Sequence, residues 1–307
     1  MPRLSTREIM LQAARTGMVV PAFNVPHLPM MEPIVEALRA ARAFGLIQVA
    51  RLEWMKFKSG SLKAIRDTYA GCKDERFTRL HLDHVPVIDE DNLTVDVEAI
   101  IAEAMALGYE SVMVDGSRLP LAGNIEATLK VVKMAHLAGL PVEAELGAVL
   151  GHESGPLPPY EELFLSGRGF TDPAEAKRFV AETGVDWLSV AVGNIHGAIS
   201  GAAKSAKKVE ARINVKRLDL IRAAVGQVPL VLHGGSGIRK ESILAGVQHG
   251  IAKINVGTTL RQAYEAGVAV SAAEARQRTL AAATAVIRDE LEIAGSADRL
   301  GTAGGIL

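Results

Sequence analysis

Short apolar runs alternate along this chain with longer segments of helical periodicity, and that rhythm constrains the fold more than any single motif does. The candidate strands are 19–25, 46–50, 77–83, 111–115, 142–145, 187–192, 230–233 and 252–256. Between most of them lie 30–43, 95–107, 124–138, 173–183, 216–225 and 240–249, where apolar residues recur at helical spacing. Asn124 and the Asp172-Pro173 pair read as helix starts, and Gly108, Gly139 and Gly184 as stops. Strand and helix in alternation, about eight times over, predict an α/β fold with a parallel barrel, the (β/α)8 TIM barrel. The 307 residues suit one such domain over 1–307. A doubly wound open sheet is the structural alternative.

Composition narrows the function classes. The formal net charge of −1 gives no electrostatic case for nucleic acid or an anionic membrane as partner. The single Cys72 cannot form an internal disulfide, which fits a reducing, cytoplasmic location. The first residues lack the apolar core of a signal peptide, and no stretch is long and apolar enough to predict a membrane span. Two segments look inserted. Residues 150–171 are rich in Gly and Pro and are expected to form a lid loop over an active site. Residues 200–212 are rich in Lys and Ala and read as a solvated basic surface. From 265 to 307 the chain turns Ala-rich and is expected to form a C-terminal helical extension.

In a parallel barrel the chemistry sits at the C-terminal ends of the strands. Those ends carry His81-Leu82-Asp83-His84, Glu143-Ala144-Glu145-Leu146-Gly147, Gly193-Asn194-Ile195-His196-Gly197, His233-Gly234-Gly235-Ser236-Gly237 and Asn255-Val256-Gly257-Thr258. A lone histidine at a strand end is most often structural. His84, His196 and His233 at separate ends of one barrel can converge on a point, and three imidazoles plus an open position suit a catalytic divalent ion, zinc first. The glycine-rich turn before one helix and Gly257-Thr258 before another offer backbone N–H groups and hydroxyls to a phosphate.

The ordered set HLDH, EAELG, GNIHG, LHGGSG and KINVGT resembles the class II fructose-bisphosphate and tagatose-bisphosphate aldolases, over roughly residues 5–264. The resemblance implies one Zn²⁺ per chain on His84, His196 and His233, replaceable by another divalent ion. It implies Asp83 as the acid/base at the substrate hydroxyl or carbonyl. It makes Glu145 an acidic residue near the metal, supporting or alternatively coordinating it, and Glu153 the mobile glutamate that moves the donor's proton. Asn24, Gly197, Gly234, Gly235, Ser236, Asn255, Gly257 and Thr258 then contact substrate and phosphate. The implied activity is reversible cleavage of a ketose (bis)phosphate to dihydroxyacetone phosphate, or a similar donor, and an aldehyde, in a homodimer or homotetramer. The chemistry is coherent by itself. Breaking a carbon–carbon bond beside a carbonyl needs an electron sink, which a Lewis-acidic ion supplies, and two carboxyl groups to move two protons.

Several positions depart from the family's pattern. The second strand ends in Ala50, where a serine is common, Ser200 stands where a lysine is expected, and Gly257 replaces an aspartate of fructose-specific members. The stretch 51–79 is unlike the family and supplies Arg51, Glu53, Lys56 and Lys58 near the active face; Lys204, Lys207 and Lys208 could replace the missing lysine. These changes leave open a modified or monophosphorylated sugar. A Schiff-base aldolase using Lys253, and a metal-binding barrel that has lost activity and serves as a regulatory subunit, are the competing readings.

Overall fold

The computed structural model describes residues 3–147, 159–194, 211–235 and 237–303. Eight strands run Val20–Asn24 (β1), Gly45–Ala50 (β2), Thr78–Pro86 (β3), Ser111–Asp115 (β4), Val142–Leu146 (β5), Trp187–Val190 (β6), Leu230–Leu232 (β7) and Ile251–Val256 (β8). All pair in parallel, each with its sequence neighbour, and β8 pairs with β1 to close the barrel. The fold is the (β/α)8 barrel that the alternation predicts, and the open sheet is excluded by the β1–β8 pairing.

The pleat sorts the side chains. Leu82, Ala144, Leu188 and Ile254 belong to the apolar core with Ile34, Leu38, Ile65, Ile101 and Val131 of the surrounding helices. Their neighbours one residue away point to the barrel axis, as the period of two requires. The axis here holds a polar web instead of stacked aliphatic side chains: Gln48, His81, Asp83, Glu143, Glu145, Ser189, Lys253 and Asn255 are all buried. Such groups are tolerated only where each finds partners. At the opposite end Arg79 plugs the base, donating to the carbonyls of Thr78 at 2.8 Å and Leu4 at 3.0 Å and pairing with Glu110 at 3.3 Å.

Most helices start and stop as their sequence signals direct. Pro173–Thr183 is capped by Asp172 and ends at Gly184 in the left-handed conformation. Three expectations change. The helix expected from Asn124 begins a turn earlier, at Leu121, and Asn124 is buried within it, donating to the carbonyl of Glu145 at 2.9 Å. The segment expected to be a lid loop contains a helix, Tyr160–Ser166. Its Tyr160 hydroxyl bonds the Gly193 carbonyl at 3.0 Å, and the Arg212 guanidinium covers Phe164 at 4.3 Å, so this half is docked beside β6. Residues 148–158 of that segment lie outside the described residues, as do 195–210. Finally, residue 265 falls inside the helix Thr258–Val268 that follows β8; the extension proper starts with the helix Ala272–Ala285. It ends under β2, where Ser296 Oγ accepts from the Phe44 amide at 3.0 Å.

Candidate active site

The C-terminal end of β3 is irregular, and the irregularity builds the site. In a regular strand Asp83 and His84 would face opposite sides. The β3–β4 register slips between Leu82 and Val85, and His84 adopts φ +22°, a conformation rare for a residue with a side chain. The bulge turns both side chains inward. Ligating atoms of Asp83, His84 and His233 then lie within 4.8 Å of one another, and the two imidazole centroids are 4.5 Å apart.

Asp83 is held by amides from the neighbouring strands. Asn24 Nδ2 (β1) donates to Oδ2 at 3.0 Å, Gln48 Nε2 (β2) to Oδ2 at 3.1 Å, and Asn255 Nδ2 (β8) to Oδ1 at 3.1 Å. The amides are themselves oriented. Gln48 donates also to Asn24 Oδ1 at 2.8 Å, and Lys253 Nζ donates to Asn255 Oδ1 at 2.8 Å. A lysine cannot accept, so this contact fixes which end of the Asn255 amide faces Asp83. Lys253 is fully buried and paired with Glu143 at 2.8 Å.

A second carboxylate layer surrounds the imidazoles. His84 Nδ1 bonds Asp115 at the end of β4 at 3.1 Å, His233 Nδ1 meets Glu145 at 2.9 Å and His233 Nε2 meets Glu143 at 2.8 Å. Ser189 donates to Glu145 at 3.2 Å, and Trp187 Nε1 to Glu143 at 2.6 Å. Asn194 binds the His233 carbonyl at 2.9 Å through Nδ2, tying the GNIHG and LHGGSG segments together.

Charge explains the titration behaviour. Burial alone would lower the His84 pKa, but Asp83 and Asp115 outweigh it and raise it to about 10. His233 is raised against the same burial cost by Glu143 and Glu145. Burial would raise Asp83, yet His84, Lys253 and His233 hold it below the ordinary carboxylate value. Asp115 is held far down despite burial, chiefly by its bond to His84. Carboxyl groups thus outnumber cations around the imidazoles, and the site holds protons where it could hold a divalent ion. His84, with a carboxylate on Nδ1, has the usual arrangement of a metal-ligating imidazole, and His233, which meets a carboxylate at each ring nitrogen, would exchange one of them for the ion.

The candidate phosphate loops flank this cluster. Gly234 follows His233 with φ +65°. A Cβ on Gly235 would come within 2.8 Å of Ile254 Cδ1 and 3.1 Å of the Asn255 carbonyl oxygen, so the β7 loop approaches β8 as only glycine permits. Gly257 is the N-cap and Thr258 the first residue of the helix Thr258–Val268. His196, Gly197, Glu153 and Ser236 lie outside the described residues, as do Ser200, Lys204, Lys207 and Lys208.

Of the residues left unplaced in 51–79, Glu53 turns inward. Its Oε2 accepts from the Ala50 amide at 2.8 Å and from Asn24 Nδ2 at 3.4 Å, and burial pushes its pKa up to about 8. Arg51 instead pairs with Asp89 at 3.3 Å, and Lys56 with Glu90 at 2.9 Å and Asp91 at 3.2 Å. Gln48 and Asp115 fall in no motif, and Glu143 lies within EAELG without a role assigned to it. Their signal was positional: each is a polar residue of inward parity, or at a strand end, in an apolar run.

The fold matches known proteins over nearly the full length. The chain is similar to the YdjI aldolase of Escherichia coli K12, with 26% identity, TM-score 0.74, and 96% of this chain and 100% of that one covered. It shares its fold with a candidate fructose-1,6-biphosphate aldolase from Coccidioides immitis (24% identity, TM-score 0.75, 95% and 98% covered). The same holds for a fructose-bisphosphate aldolase from Campylobacter jejuni (18%, 0.73, 95% and 96%). Among the described residues no helix is long and apolar enough to cross a membrane. The family model of class II fructose-bisphosphate aldolase matches residues 4–299, and the chain belongs to that family.

Proposed function

We propose that the protein is a zinc-dependent aldolase that cleaves a ketose phosphate into a dihydroxyacetone-phosphate-like donor and an aldehyde. The observation that carries this reading is the placement of an amide-clamped Asp83 against His84 and His233. His84 and His233, with His196, would hold the ion, and Glu145 would support it or take its place on the metal. When bound, the ion supplies the Lewis acid that draws charge from the donor's carbonyl.

The chain's own groups then move the protons. Asp83 is ionised in this surrounding and takes the proton of the aldol hydroxyl. The carbon–carbon bond breaks, its electron pair stays with the donor fragment, and the aldehyde leaves. Glu153 delivers a proton to the donor carbon. The amides of Asn24, Gln48 and Asn255 keep Asp83 aimed at the hydroxyl, so little reorganisation is needed during reaction. Gly197, Gly234, Gly235, Ser236, Gly257 and Thr258 bind the substrate and one phosphate through backbone amides and hydroxyls. Residues 150–171 act as the lid that brings Glu153 in. The whole chain forms a single catalytic domain, active as a homodimer or homotetramer in the cytoplasm.

A second phosphate is not part of this reading. Ala50 offers no hydroxyl, and Arg51 and Lys56 are engaged by acidic partners. The Schiff-base route has little support, because Lys253 is sealed in the barrel and bound to Glu143 and Asn255. The two proton roles separate experimentally. Asp83→Ala should lose about two to four orders of magnitude in kcat with zinc retained. Glu153→Gln should slow exchange of the donor's carbon-bound proton with deuterated water by at least about tenfold. Near-normal cleavage by Asp83→Ala would refute the first assignment, and wild-type exchange in Glu153→Gln the second.

A further inference from the structure

Glu53 is a buried carboxyl beside the reacting centre that the aldol chemistry does not use. It stands at the junction where β2 runs directly into the helix Arg51–Lys56. One oxygen, Oε2, is spent on the Ala50 amide and on Asn24 Nδ2. The other, Oε1, has no hydrogen-bond partner among the described residues. The Asn24 amide that touches Glu53 also touches Asp83, so the two carboxyl groups share one bridging donor. The candidate phosphate loops follow β7 and β8, whereas Glu53 follows β2, the strand beside β3 and Asp83. Asp83 serves the aldol hydroxyl, whose oxygen becomes the aldehyde carbonyl, so a carboxyl tied to Asp83 through Asn24 stands next to the aldehyde fragment.

We infer that Glu53 is a specificity-determining residue, whose free oxygen binds the hydroxyl on the carbon next to the aldehyde carbonyl. This deepens the aldolase reading and rests on it. A hydroxyl both donates and accepts, so it satisfies a carboxyl in either protonation state. A phosphate or carboxylate there would sit against the ionised Asp83 and a second carboxyl, while Arg51 and Lys56 of the same helix are held by Asp89, Glu90 and Asp91. A site that hydrogen-bonds a substrate hydroxyl discriminates against the analogue that lacks it, because the buried group is then left unpaired. The Ala50 contact alone would make Glu53 a helix cap, and the test must tell the two roles apart.

Glycolaldehyde and acetaldehyde differ by that one hydroxyl. The zinc-loaded enzyme is given dihydroxyacetone phosphate and each aldehyde in turn, and kcat/KM is measured for wild type, Glu53→Gln and Glu53→Ala. Wild type should favour glycolaldehyde. Glu53→Ala should lose at least about tenfold of that preference, while Glu53→Gln, which keeps the cap and a polar group at the open position, should retain most of it. Circular dichroism reports whether each variant folds. If Glu53→Ala slows both aldehydes equally, or Glu53→Gln and Glu53→Ala lose the preference alike, Glu53 is not reading the hydroxyl. Absence of donor proton exchange in the wild-type enzyme would instead overturn the aldolase reading beneath it.

Discussion

Replacing Lys253 by Met removes the single buried ammonium among the described residues of the barrel axis while keeping most of its apolar stem. Lys253 Nζ bonds Glu143 at 2.8 Å and Asn255 at 2.8 Å, with no exposure to water. Removing one member of a buried ion pair typically costs about 3–5 kcal/mol, because the other charge is left behind. Glu143 would still have His233 at 2.8 Å and Trp187 at 2.6 Å, so the lower end, about 3 kcal/mol, is expected. Urea unfolding at pH 7.5 measures it. The double variant Lys253→Met with Glu143→Gln removes the stranded charge and should recover about 1–2 kcal/mol, an interaction of the size found for residues in contact. The pH dependence has a definite sign. Glu143 lies well below its ordinary value of 4.5, held there against burial by Lys253 and its hydrogen-bonding neighbours. Its stabilising share is complete above pH 4.5 and is lost as the pH falls toward its native pKa, so wild type should lose more stability on acidification than the double variant. A Lys253→Met loss under about 1 kcal/mol, with additive effects in the double variant, would refute the claim that this pair organises the axis.

The metal site makes two further claims. His84→Ala, His196→Ala and His233→Ala should each lose most bound zinc by elemental analysis, and near-full occupancy in any of them removes that residue from the ligand set. Because His84 is raised to about 10 in the metal-free cluster, zinc must displace a proton there. Titrating the chelator-treated protein with zinc in weak buffer at pH 7 should therefore release protons. In that metal-free protein, the stabilisation from His84 is complete below its ordinary value of 6.5 and lost as pH rises through about 10. Its melting temperature should accordingly fall between pH 7 and pH 10.5, more than that of its His84→Ala variant.

The barrel was legible because its strands are buried on both faces and its helices on one, which leaves two distinct periods in the sequence. His84 and His233 stood out because strand ends of a barrel face a common point, whereas the roles given to Asp83 and Glu145 rest on the family resemblance. What could not be read was the web between them. Whether Gln48 or Asn24 meets Asp83 depends on the β1–β2–β3 register, which local periodicity does not specify. The bulge that turns His84 inward leaves no clear mark in the sequence, since Asp-His-Val carries no glycine to signal positive φ. Glu53 was visible as a charge but not as an inward one, because a helix starting directly after β2 without a loop could not be foreseen from its composition. The docked helix Tyr160–Ser166 escaped because its neighbourhood is rich in Gly and Pro.

Solvent exchange at the donor carbon tests the central claim most directly, since it needs the metal, the phosphate site and the proton-moving carboxylate but no aldehyde. The protein is incubated with dihydroxyacetone phosphate in deuterated water, and loss of one carbon-bound proton is followed by NMR before chelation, after chelation and after zinc is returned. The account predicts stereospecific exchange, its loss with the chelator and its return with zinc. Exchange that persists undiminished in the chelated protein, or none in the zinc-loaded one, would contradict it.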